Sequence, residues 1–255
     1  MGSIRLRRFV LSVASAAAAA FAAQATAQGP TTLQGAALVP PFSAAKAGGT
    51  VPNGWQKAVI TDRKKDTRYE LVDDQGTVVL HAVAEAAASG LGVHVHFDLH
   101  AAPVMTWRWK VAKLIKTADP RQASQEDSPA RIVLEFDGDK SRLGLADRSA
   151  LAFAKGLSGR DLPYATLMYV WANQIPAGTI VANPRTNRVQ MVVASSGESG
   201  VGRWQSLSRN VLEDYRKAFG EEPGDLVGVG VLTDTDNTGE STEAWYGDID
   251  FGAGR

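Results

Sequence analysis

The chain has no cysteine, so no disulfide holds it together and no lipid-modified cysteine anchors it. Only four histidines occur in 255 residues, which leaves little material for a histidine-rich metal centre. Beyond the N-terminus there is no apolar run long enough to cross a bilayer. Charge of one sign is also missing. Basic and acidic residues number 27 each, so no basic excess marks a dedicated nucleic-acid binder and nothing draws the chain strongly to anionic lipid. A Gly-x-Ser-x-Gly elbow, a phosphate-binding glycine loop and a dinucleotide fingerprint are all absent.

What is present begins with an export signal. Arg5, Arg7 and Arg8 precede an apolar, Ala-rich stretch from Phe9 to Ala23, and Ala25-Thr26-Ala27 offers a small-x-small cleavage site. The sequence predicts removal of residues 1–27 and a periplasmic or secreted protein. "RRFVL" also fits a loose twin-arginine signal, so the general and twin-arginine routes both stay open. The segment lost carries three Arg and no acid, leaving 24 basic against 27 acidic residues, a net charge of −3. A Pro-, Ala- and Gly-rich leader over 28–53, with a candidate edge strand at Ala37–Val39, precedes one domain over 54–255. At 228 residues the mature chain is long enough to bury one substantial core.

From Gly54 onward, short β-branched and aromatic segments recur between Gly, Asp and Pro. Strands are expected near Trp55–Ile60, Tyr69–Asp73, Thr77–Ala84, Gly92–Asp98, Val104–Val111, Ala130–Phe136, Thr166–Trp171, Thr179–Ala182, Val189–Ala194, Leu226–Thr233 and Thr242–Phe251. Two stretches read as helix. Leu145–Leu157 puts Ala150, Leu151, Ala154 and Leu157 on one face, and Ser206–Phe219 places Leu207, Val211, Tyr215 and Phe219 at spacing four. The fold class is therefore all-β, a single jelly-roll-type antiparallel β-sandwich with two short peripheral helices.

Several motifs carry candidate chemistry. In "GVHVHFDL", His94, His96 and Asp98 share one strand face, a potential metal set or a solvated sheet face. In "MTWRWKV", Trp107 and Trp109 share a face with Met105 and Val111; core packing is favoured over a sugar-stacking platform. Asp127 and Arg131 lie close enough around a strand entrance to pair, as a brace or as ligand-facing groups. The densest stretch is "TDTDNTGESTEAWYGDIDF", residues 233–251. Asp234, Asp236 and Asn237 match the start of a calcium loop, but position twelve counted from Asp234 is Trp245 and the flanks are strands. The reading favoured here is a hairpin whose acids gather at a sandwich rim. It would put Trp245, Gly247, Ile249 and Phe251 on one face and Tyr246, Asp248 and Asp250 on the other. A calcium site of Asp234, Asp236 and Asn237, joined by Asp248 or Asp250 from the return strand, is the sharper alternative.

"SGLGVHVHFDL", "WRWKV", "ARIVLEF", "LPYATLMYVWAN", "SRNVLEDYRKAFGEEP" and the 233–251 stretch together resemble the bacterial domain-of-unknown-function family 3047, over about Trp55 to Phe251. The resemblance implies an exported protein and brings no established activity. The family's pattern has Gly-Asp-Asp before the "AR" strand where this chain has Gln125-Glu126-Asp127, so only Asp127 carries over. "AWYGDIDF" is also similar to the last strand of galactose-binding-like jelly rolls, a likeness of fold alone.

Two function classes follow. One is a non-catalytic envelope module that binds a glycan or similar polar polymer, with Asp127, Arg131, Trp171, Asp248 and Asp250 as candidate ligand residues. The other is a polysaccharide-acting enzyme using paired carboxylates. An exposed aromatic platform would favour the first, and two carboxylates facing each other across a cleft the second.

Overall fold

The computed structural model describes residues 39–59, 64–158 and 161–253. The expected signal peptide, residues 28–38 of the leader, with Ala37 and Leu38 of its candidate edge strand, and residue Ile60 lie outside them. Among the described residues, twelve strands form two packed sheets. The first sheet contains β1 (Gln56–Val59), β4 (Ala88–Phe97), β6 (Ser128–Phe136), β7 (Ala165–Ala172), β8 (Ile180–Asn183), β9 (Thr186–Ser196) and β11 (Leu226–Asp234). The second contains β2 (Arg68–Asp74), β3 (Thr77–Glu85), β5 (Val104–Val111), β10 (Gln205–Asn210) and β12 (Ser241–Gly252). Their spatial orders are β1-β4-β11-β6-β7-β9-β8 and β10-β5-β12-β3-β2. Pairing is antiparallel throughout except between β7 and β9, which run parallel. Two helices, α1 (Leu145–Ser158) and α2 (Val211–Phe219), complete the architecture. No described helix is long and apolar enough to cross a membrane.

The core between the sheets follows from alternation. Odd positions of β5 point inward, so Met105, Trp107, Trp109 and Val111 are buried, and Thr106, Arg108 and Lys110 face out. Trp107 and Trp109 meet edge to face at 5.5 Å, and Trp109 packs on Trp171 from the opposite sheet. The Trp107 Nε1–H is buried without a partner among the described residues, but three other buried aromatics have their polar tips paired. Trp109 Nε1 donates to Ser195 Oγ at 3.0 Å, Trp171 Nε1 to the Gly197 carbonyl at 3.1 Å, and Tyr169 Oη to Asp214 Oδ2 at 2.8 Å. The sequence expectation of a core role for Trp107 and Trp109 agrees with this.

A second apolar layer covers the far face of the seven-stranded sheet. It is built from Val133, Met168, Val170, Val189, Met191, Val193 and Leu232. This is why β6 and β7 are buried at every position.

Three sequence expectations require correction. The stretch Ser206–Phe219 is not one helix. Gln205–Asn210 pairs with β5 as an edge strand, and Asn210 then caps α2 by accepting from the Glu213 N–H at 3.1 Å. Leu207 consequently sits on a strand; Val211, Leu212, Asp214 and Tyr215 are the buried residues of the helix, Phe219 is half-buried, and Gly220 closes it in the left-handed conformation, φ 70°.

The stretch 233–251 is not a hairpin either. β11 and β12 belong to different sheets, so Thr235–Glu240 arches from one layer of the sandwich to the other. Finally, a β-bulge between Tyr246 and Ile249 slips the facing of β12 by one residue. Tyr246 and Ile249 point into the core, while Trp245, Asp248 and Asp250 face out together.

In α1, Leu151 packs against the core as expected; the side chains of Ala154 and Leu157 lie outside the described residues.

Candidate binding groove and buried acid cluster

The bulge in β12 sets the site. At Gly247, a Cβ would meet Arg108 Cγ at 2.5 Å and Nε at 2.8 Å, so glycine lets the Arg108 side chain lie across the strand. With Asp248 and Asp250 turned outward, the exposed face of the five-stranded sheet carries a groove of about 700 Å³. Its polar lining comes from Thr106 and Arg108 of β5, Ser206 and Ser208 of β10, and Asp248 and Asp250 of β12, with Ser43 and Thr77 at its border. The register fixes this grouping, since Ser206 pairs with Arg108, Ser208 with Thr106, and Thr106 with Asp250.

The two carboxylates differ in state. Asp248 is engaged at both oxygens, accepting from Ser43 N at 3.0 Å and Ser43 Oγ at 2.5 Å; these bonds tie the leader's 3-10 turn, Phe42–Ala44, to the sheet. Asp250 has no hydrogen-bond or ion-pair partner among the described residues. Partial desolvation by the groove and the neighbouring Asp248 charge raise its pKa.

Beside the groove lies an aromatic and cationic strip. Trp245 on β12 stands between His81 of β3 and Lys110 of β5, its neighbours on either side. His81 stacks on it at 4.6 Å and Lys110 Nζ lies 4.5 Å from its ring centre, so both faces of the indole are taken. Arg108 lies 4.5 Å from the centre of the Trp204 ring. Asp74 gathers the strip by accepting from Lys110 Nζ at 2.5 Å and Trp204 Nε1 at 3.0 Å, and the Lys110 bond leads in holding its carboxyl below the usual range. His81 bridges Glu70 and Glu243 through its two ring nitrogens.

The other expected ligand residues are placed elsewhere. Trp171 is a core residue, 2% exposed. Asp127 and Arg131 are also 2% exposed, inside a polar cluster at the arch between the sheets. Their expected pairing is replaced. Arg131 Nη2 forms its ion pair with Asp234 Oδ2 at 3.1 Å and also donates to the Glu126 carbonyl. Asp127 instead accepts from the backbone N–H groups of Asn237 and Thr238, at 3.2 and 2.8 Å, and from Thr238 Oγ1 at 2.7 Å. It thus pins the arch rather than facing a ligand.

Asp127, Asp234 and Asp236 bring one carboxylate oxygen each to within 4.8 Å of one another, a set that excludes the histidines of "HVHFDLH". Asn237 reaches the cluster through its backbone. Asp248 and Asp250 do not join, because β12 departs in the other sheet.

Most of these oxygens are already committed. Asp234 Oδ1 accepts from Ser128 N at 3.0 Å, and Asp236 Oδ2 pairs with Lys64 at 2.7 Å; only Asp236 Oδ1 is buried without a partner. Calcium takes six to eight oxygens. A cation entering here has to displace Arg131 or Lys64, so this donor set fits calcium poorly. Three carboxylates against two cations leave one surplus negative charge. Burial, opposed by Arg131 but reinforced by Asp127 and Asp236, pushes the Asp234 pKa up to about 7.

The fold and its outer-face groove define a β-sandwich with an open polar surface site. The chain belongs to the family described as "Protein of unknown function (DUF3047)", matched over residues 53–250. No curated protein matches it. Among solved structures it is similar to the xyloglucanase domain of NopAA, a type three effector from Sinorhizobium fredii, in complex with cellobiose. There the TM-score is 0.43 at 7% identity, covering 81% of this chain and 96% of that one. It is similar to the Emp47p carbohydrate recognition domain, with TM-score 0.40, 12% identity, and 85% and 95% coverage. It is also similar to a non-crystalline cellulose specific carbohydrate-binding module, CBM28, with TM-score 0.37, 11% identity, and 86% and 96% coverage.

Asp248 and Asp250, named from the sequence, line the groove together with Arg108, Ser206 and Ser208, which the sequence did not single out. The available signal was the alternation of Arg108 and Lys110 with the core Trp residues. The alternation at 205–210 was hidden by the helical spacing that continues into α2.

Proposed function

We propose that this chain is an exported, non-catalytic module that binds a glycan or similar polar polymer along the outer face of its five-stranded sheet. The observation that carries the reading is the groove. It is open and lined by residues of β10, β5, β12 and β3, and its hydroxyl, carboxylate and guanidinium groups are those that meet sugar hydroxyls. Export rests on the basic, apolar and Ala-x-Ala pattern of residues 1–27. The exposed aromatic platform that would favour a binding module is not supplied by Trp107 and Trp109, which are core, nor by Trp245, whose two faces are occupied. Hydrogen bonding to the groove wall takes that role.

The paired-carboxylate enzyme is disfavoured by geometry. Asp248 and Asp250 stand two residues apart on one strand, side by side, whereas glycoside hydrolysis places two carboxyl groups on opposite sides of the scissile bond. Affinity electrophoresis against a panel of soluble polysaccharides, run beside a reducing-end assay on the same samples, tests the proposal. Retardation in at least one gel without release of reducing ends is the expected result. Release of reducing ends that Asp250→Asn abolishes would replace the module with the enzyme.

A further inference from the structure

We infer that the groove selects glycans that carry free amino groups, with Asp250 as the anchor for the ligand's ammonium. This rests on the groove being the ligand site. Three charged side chains line it: Arg108, Asp248 and Asp250. Two of them are committed. Both oxygens of Asp248 hold Ser43, and the Arg108 guanidinium lies over Trp204 with its stem across Gly247. One guanidinium against two carboxylates leaves the groove with a net charge of −1, and Asp250 is the carboxylate with no hydrogen-bond or ion-pair partner among the described residues.

A ligand ammonium next to Asp250 would supply the missing counter-charge and relieve its repulsion with Asp248, which shares its side of β12. A neutral hydroxyl donates there too, but a charge-assisted hydrogen bond is about twice as strong. A uronate would bring a third carboxylate beside Asp248 and Asp250, with only the committed Arg108 to offset it. Ring stacking, which ignores ligand charge, is not offered by Trp245, whose two faces are filled. Charge therefore decides between polymers of the same shape.

The test uses glucosamine oligomers of one length, fully N-acetylated or fully deacetylated, titrated calorimetrically at about pH 6, where a carboxylate is largely ionised. The deacetylated oligomer should bind wild type about tenfold tighter, the worth of one charge-assisted contact. Asp250→Asn, at an exposed position, should fold normally and lose that preference. Equal affinity for the two oligomers, or a preference that survives in Asp250→Asn, would overturn the inference and leave the groove intact as a neutral-glycan site. If no glycan of any charge class binds, the groove reading falls and this inference with it.

Discussion

Replacing Asp234 by Asn isolates the titration of the buried arch cluster. Asp234 is 2% exposed and its pKa is pushed up to about 7, against 3.8 for an ordinary aspartate. The folded state therefore binds a proton more tightly than the unfolded chain. The stability this contributes is fully present below about pH 4 and is lost as pH rises through about 7. About three units at about 1.4 kcal/mol each give at most about 4 kcal/mol. Asn mimics the protonated side chain in shape and hydrogen-bonding capacity, so it keeps this contribution at every pH.

Denaturant unfolding of both proteins between about pH 4 and pH 8 gives the comparison. Wild-type stability minus that of Asp234→Asn should fall across the range by up to about 4 kcal/mol and level off above about pH 7. Using the difference removes His100, whose raised pKa changes stability in the same direction as pH rises. A flat difference would refute the raised pKa. A difference that rises with pH would mean that Arg131 holds Asp234 ionised and lowers its pKa.

Other outcomes follow from the same geometry. Tyr215 is fully buried between Phe136 and Phe219, so Tyr215→Ala should cost about 3–5 kcal/mol in urea unfolding, whereas half-buried Phe219→Ala should cost clearly less. Equal costs would place the core contact of α2 elsewhere. Millimolar calcium against chelator should leave the melting temperature unchanged, since the cluster's oxygens already hold Arg131, Lys64 and backbone donors. An upward shift abolished by Asp236→Ala would establish a calcium site there. Intact mass of the protein from a periplasmic fraction should correspond to a chain beginning at Gln28, and a chain still carrying Arg5 to Ala23 would contradict export with cleavage.

The ladder of strands was legible because alternation survives wherever one face is buried. Trp107 and Trp109 could be assigned to the core from Met105 and Val111 beside them. The arch at Thr235–Glu240 was not legible. A turn rich in Asp, Asn and Gly suits a hairpin and a crossing between sheets equally well, and only the partners of β12, which are β3 and β5, decide between them. The facing of Asp248 and Asp250 relative to Trp245 was lost for a related reason. A single bulge shifts every later side chain, and the Arg108 stem that lies over Gly247 within it comes from a strand more than a hundred residues away. Asp127 was the converse case. Its residue type suggested a ligand group, but its position beneath the arch gives it three donors from Asn237 and Thr238.

The central claim, that the outer face of the five-stranded sheet is the ligand surface, is tested most directly by filling the groove. Ser206 and Ser208 are exposed on β10 and point into it, so Trp at both positions occupies the groove without entering the core. Isothermal titration with the best-bound polysaccharide should show binding to wild type and at least about a tenfold loss in Ser206→Trp/Ser208→Trp, with the melting temperature preserved. Unchanged affinity in that folded variant would contradict the account and move the ligand surface away from this sheet.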